Sequence, residues 1–118
     1  MENTEIHIKE AAVLFNSNNI DAAIIKYEYV LGITNKASVK IALAVCYILK
    51  HSGKKAELLL LDIIHQSENR DVCDLMIAYN NLSNLYMTGS NGVDIDLKKA
   101  HEFYLKAKEL GFPVNGHN

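Results

Sequence analysis

Five histidines, two cysteines and 14 acidic side chains are the groups in this 118-residue chain able to hold a metal or move a proton. A helical zinc site needs two histidines four residues apart on one face. His7, His51, His65, His101 and His117 include no such pair, and His101-Glu102 has no second histidine after it. They read as surface or boundary residues. Cys46 and Cys73 lie inside apolar segments with no Cys or His two to four residues away. Two buried, reduced thiols are therefore expected, with no zinc site and no disulfide framework. Asp71/Asp74 and Asp94/Asp96 could share a cation, but carboxylates at those places favour a helix start and a cap. Gly89-Ser90-Asn91-Gly92 lacks the lysine and the preceding strand of a phosphate loop, and no Gly-x-Ser-x-Gly elbow occurs. Lys54-Lys55 and Lys98-Lys99 are too short for a nucleic-acid patch. The expectation is a non-enzyme with no cofactor and no metal.

Composition sets the frame for those residues. Hydrophobic residues make up 49% and charged residues 22%, which is globular and excludes a disordered chain. Twelve basic against 14 acidic residues leave a net charge of −2, so nothing points to nucleic acid or an acidic membrane surface. The longest apolar run, Ile41 to Leu49, is nine residues, about half a bilayer span. The polar, acidic start Met1-Glu2-Asn3-Thr4-Glu5 lacks the layout of a secretory signal. A cytoplasmic single domain over residues 1–118, with no membrane contact, is expected. One proline, Pro113, leaves the first 112 residues free of that breaker and favours long helices.

Apolar spacing predicts six helices. Ile8, Ala11, Ala12 and Phe15 mark the first, with Thr4 and Glu5 as caps and Ser17-Asn18-Asn19 as the break. Ile20, Ala23, Ile24, Tyr27, Val30 and Leu31 mark the second, stopped by Gly32. The third spans about Lys36 to His51, apolar all round in its middle and hence buried on more than one side. A buried strand competes there, but the alanines favour helix. Ser52-Gly53 is expected to stop it. Lys54–Gln66 is the fourth, Glu68-Asn69 a break, and Arg70–Thr88 the fifth. Asp94 or Asp96 caps a sixth that ends at Gly111, followed by a short tail over 112–118.

An internal repeat runs through these elements. In the second helix of each pair an alanine precedes a bulky residue by four and an apolar one by seven: Ala23/Tyr27/Val30, Ala56/Leu60/Ile63 and Ala100/Tyr104/Ala107. In the first helix a small residue precedes an apolar one by three: Ala11/Leu14, Ala44/Tyr47 and Ser83/Tyr86. The second-helix alanines lie 33 and 44 residues apart, the first-helix small residues 33 and 39. Two helices of a hairpin approach closely only where small side chains meet, and each hairpin alone leaves an apolar flank that stacking must cover. Units of roughly 4–35, 36–69 and 70–111 follow.

The last unit carries Leu82-Ser83-Asn84-Leu85-Tyr86-Met87-Thr88-Gly89, Gly92-Val93-Asp94, Asp96, Lys99-Ala100, Phe103-Tyr104, Lys106-Ala107 and Gly111. This resembles the Sel-one-like subclass of the tetratricopeptide-repeat superfamily, clearest over residues 79–111. The middle unit, Leu43-Ala44 and Tyr47 through Gly53 and Ala56, matches less closely, and the first has Asn18 where a glycine is usual. Ser83 and Ala44 also replace a common glycine. The resemblance implies an all-α, right-handed superhelix of three antiparallel hairpins that binds a protein or peptide without catalysis. The first helices would line the concave face with Ile8, Ala12, Phe15, Ile41, Val45, Ile48, Leu49, Asn80, Asn84 and Met87. Asn80 and Asn84, four apart, would hydrogen-bond a bound segment. The competing assignment makes the aliphatics core and the asparagines solvated or inter-helical. An adaptor or scaffold is the leading expectation. A dedicated inhibitor of one enzyme, such as a toxin-neutralising immunity protein, or a secretion chaperone is the alternative. Terminal units without an obvious cap add a homodimer.

Overall fold

The structure, a computed structural model, describes residues 3–66 and 71–113. The break at Glu68-Asn69, the Arg70 helix start, His117 and the tail beyond Pro113 lie outside the described residues. Six helices form among the described residues: α1 (Thr4–Asn16), α2 (Ile20–Leu31), α3 (Ala37–Leu49), α4 (Gly53–His65), α5 (Val72–Thr88) and α6 (Leu97–Glu109). Among the described residues there is no strand, only an isolated bridge between Ser90 and Val93. The nine-residue apolar run is therefore helical. No helix among the described residues is long and apolar enough to cross a membrane.

Each helix packs most densely on its hairpin partner, and the hairpins are joined by α2 packing on α3 and α4 on α5. The result is a solenoid-like stack with extents of 44 × 30 × 26 Å. α3 packs against α2, α4 and α5, which is why its sequence is apolar on every side. Its one charged core residue, Lys40, is 2% exposed, and its ammonium meets Asp62 of α4 at 2.5 Å. The stem fills the hairpin while the charge reaches a counter-ion.

The small residues sit where the repeat places them. Ala11, Ala44, Ala23 and Ala56 are fully buried, and Ser83 and Ala100 nearly so. In the third hairpin the Ser83 hydroxyl donates to the Ala100 carbonyl at 2.7 Å, so the two small positions meet at the crossing. Behind it, Phe103 stacks on Tyr79 and Tyr86 with ring centroids 5.7 and 5.8 Å away.

Several boundaries differ from the sequence expectation. Asn3 caps α1, accepting from the Glu5 amide, so Thr4 and Glu5 are already helical. Asp96, not Asp94, caps α6 by accepting from the Lys99 amide at 3.1 Å. α3 ends at Leu49, and the turn is made by His51 in the left-handed region (φ 60°), as Asn18 does after α1 (φ 65°). Gly53 is thus no stop; it is the buried first residue of α4. A Cβ there would lie 2.4 Å from Ser90 Cβ, so glycine is what lets the 89–96 loop dock. The docked loop supplies the Asn91 carbonyl to the Lys54 amide at 3.1 Å. Ser52 makes no side-chain cap, so this bond from the next hairpin satisfies one of the free donors at the start of α4.

The cysteines also divide. Cys46 is buried, and burial pushes its thiol up; Cys73, expected to be buried, is exposed near the start of α5. The Cys73 position in α5 points away from the stack because the apolar stripe there runs through Ala78, Leu82, Leu85 and Tyr86. In the native fold a maleimide should therefore label Cys73 at once and Cys46 at least about a hundredfold more slowly, limited by opening. Peptide mass spectrometry over time reads the two rates; equal rates would contradict this placement.

Candidate functional site

A recess of about 380 Å3 opens between α3 and α5, the first helices of the second and third hairpins. Its walls are Ile48 and His51 at the end of α3, Asn81, Asn84, Leu85 and Thr88 on α5, and the start of the 89–96 loop at Gly89 and Ser90. Leu85 is buried and forms the floor, Ile48 is half-buried, and His51, Asn84 and Thr88 are exposed at the rim. Leu49 and Met87, next in sequence to wall residues, are 51% and 52% exposed.

The polar rim has a definite division of labour. The Asn81 amide donates to the Ile77 carbonyl at 3.0 Å, and the Thr88 hydroxyl donates to the Asn84 carbonyl at 3.0 Å. Those donors are occupied by their own helix. The Asn84 side chain has no partner among the described residues, leaving one carbonyl and one amino group for a ligand. An apolar floor with a few convergent polar groups is the general make-up of a recognition pocket.

Two clasps hold the hairpins at the spacing that opens this recess. The Tyr47 hydroxyl of α3 donates to Glu28 of α2, and the Tyr86 hydroxyl of α5 donates to Glu57 of α4 at 2.5 Å. In each, the lysine just before the second-helix alanine covers the ring: Lys55 lies 5.4 Å from the Tyr47 centroid and Lys99 5.2 Å from that of Tyr86. Burial, and then the facing carboxylate, raise both tyrosine hydroxyls well above their ordinary range, so they stay donors. Glu57 is 8% exposed; burial raises its pKa, but Tyr86 and Lys54 outweigh that, and the net direction is down. It is a charged acceptor inside the stack.

Of the residues expected on the concave face, Ile48 and Asn84 come together in the recess, with Leu49 and Met87 exposed beside it. Ile8, Phe15 and Ile41 are half-buried and pack on the core cluster, as do Ala42 and Leu14 near them. Ala12 and Val45 are half-buried too. Asn80 is half-buried on α5 outside the recess, so the two asparagines do not act as a pair. His51, Asn81, Leu85, Thr88, Gly89 and Ser90 line the recess outside the expected set. The signal for His51 was its place just past an apolar helix, where a polar residue must turn the chain.

Among the described residues, no group of three or more His, Cys, Asp or Glu side chains is placed to hold a metal. No protein-family model matches the chain, and neither a curated protein nor a solved structure does.

Proposed function

We propose that this chain is a non-catalytic protein-interaction module of the cytoplasm, an adaptor or scaffold that takes a peptide or a folded partner in the α3–α5 recess. The observation that supports it is the combination of apolar floor and unengaged Asn84 amide, with half-exposed Leu49 and Met87 next in the chain to wall residues. An exposed cluster of that kind marks an interaction site rather than a solvated face. Tetratricopeptide-like hairpin stacking, with the Sel-one-like pattern in the third unit, supports the same reading.

The test is capture of partners by the tagged chain followed by mass spectrometry, with variants deciding the surface. Asn84→Arg and Met87→Glu should each weaken capture of the true partner by about tenfold or more. Ile25→Glu, on a position 67% exposed elsewhere on α2, should leave it unchanged. A partner retained equally by all three variants would move the site off this recess. One tight stoichiometric partner that is an enzyme, inhibited on binding, would turn the reading from adaptor to dedicated inhibitor.

A further inference from the structure

We propose that the outer face of α1 is a self-association surface, covered by α1 of a second copy of this chain running antiparallel. The inference is independent of the α3–α5 recess and starts from the register of the repeat.

Aligning Ala11, Ala44 and Ser83 places Ile6, Glu10, Val13 and Leu14 of α1 opposite Val39, Leu43, Cys46 and Tyr47 of α3. The same register reaches Ala78, Leu82, Leu85 and Tyr86 of α5. The α3 and α5 sets are all buried. Leu43 and Tyr47 face Glu28 and Leu31 of the preceding hairpin, and Tyr86 reaches back to Glu57. These positions are where one hairpin sits on the hairpin before it. Among the described residues no hairpin packs on these positions of α1: Ile6 is 52% and Val13 64% exposed, over an open recess of about 540 Å3 that Lys9, Glu10, Leu14 and Lys26 complete.

The other end of the stack is different. The positions of α6 that match Asp21, Glu28 and Leu31 of α2 are Lys98, Leu105 and Lys108, and the one matching Glu57 of α4 is His101. Two lysines and a histidine stand at these positions beside Leu105, while Leu97 and Tyr104 of α6 are exposed as well.

Ile6, Lys9, Glu10 and Val13 recur at intervals of three, one and three, a stripe along one side of α1. Set antiparallel about a two-fold axis between residues 9 and 10, Ile6 meets Val13 of the other copy and Lys9 meets Glu10, whose Oε1 already takes Lys26 of its own chain at 2.5 Å, so the incoming lysine adds to that pair. The stripe is complementary to itself in shape and in charge, which is what an isologous contact requires. Head-to-tail stacking would instead lay the lysines of α6 against a face that already carries Lys9 and Lys26.

Light scattering on the full chain over a range of micromolar concentrations should approach twice the 13.2 kDa chain mass. Val13→Glu and Lys9→Glu should each return the chain mass with helical circular dichroism intact, since both side chains are exposed. Mixing Lys9→Glu with Glu10→Lys should restore the doubled mass, because each altered charge then faces its opposite. Leu105→Glu should leave the dimer intact. A native chain that stays at 13.2 kDa throughout, a dimer lost with Leu105→Glu but not with Val13→Glu, or a mixture that fails to pair would each overturn the proposal.

Discussion

Ala56→Leu is expected to lower the unfolding free energy by about 3 kcal/mol, the upper end of what overpacking a close crossing costs. Ala56 is fully buried in α4 and its partner position in α3, Ala44, is fully buried as well. The equivalent crossing in the third hairpin brings a side-chain oxygen and a main-chain oxygen to 2.7 Å. No rotamer of leucine fits such a gap, so α3 and α4 must separate. That separation strains the Lys40–Asp62 pair and both clasps, since α3 and α4 each carry half of one. Leu58→Ala on the same helix removes a side chain 57% exposed and should change stability by less than about 0.5 kcal/mol. Urea midpoints for the two variants make the comparison. A leucine at 56 tolerated as well as an alanine at 58 would show that the hairpins do not meet through small residues.

Tyr86→Phe should cost about 1–3 kcal/mol at neutral pH, because it leaves a buried carboxylate short of a donor. Glu57 would keep Lys54 at 2.9 Å but lose the hydroxyl at 2.5 Å. The pH dependence has a definite sign. In the native chain Glu57 titrates below its ordinary range, so its contribution is complete above the unfolded pKa and is lost as pH falls through the lower folded value. Phenylalanine leaves the burial and removes the hydrogen bond that opposes it, so the folded pKa moves up. The gap between native and variant should be full at neutral pH and narrow on acidification through the carboxylate range. Urea midpoints at several pH values measure it; a gap that widens in acid would contradict the role given to Tyr86.

The hairpins were legible because their determinants are local and periodic. Ala23, Ala56 and Ala100 declare close crossings, and Leu82-Ser83 with Ala100 even shows which small residues meet. The nine-residue run of α3 was ambiguous as to helix or strand on spacing alone, and only its three neighbours in the stack explain its composition. The clasps escaped because Glu28 lies one position after Tyr27 while Glu57 lies one after Ala56, a full helical turn apart in register. A search keyed on identical positions cannot find an acid that moves by a turn. The tyrosine–lysine half of the clasp does repeat, in Tyr47 with Lys55 and Tyr86 with Lys99, and was the available signal. Gly53 was misread as a stop because glycine after an apolar helix is most often one; here its missing Cβ serves a contact 37 residues away, with Ser90. Only two of the eight residues lining the recess were legible: Ile48 and Asn84 follow from placing first helices on the inside, while His51 and Ser90 belong to turns whose geometry only the fold supplies.

The bond from the Lys54 amide to the Asn91 carbonyl ties the opening turn of one hairpin to a loop made some forty residues later. During synthesis from the N-terminus α4 leaves the ribosome before its lid exists. The Lys54 amide therefore meets its partner only when the third hairpin has been translated, and a nascent chain halted between them carries an unfinished helix end. Cooperativity in this stack is consequently vectorial: the later unit completes the earlier, while the first hairpin, which lacks that loop, is bound to its neighbour by the Tyr47–Glu28 clasp and the Lys36–Glu5 and Lys50–Asp21 ion pairs.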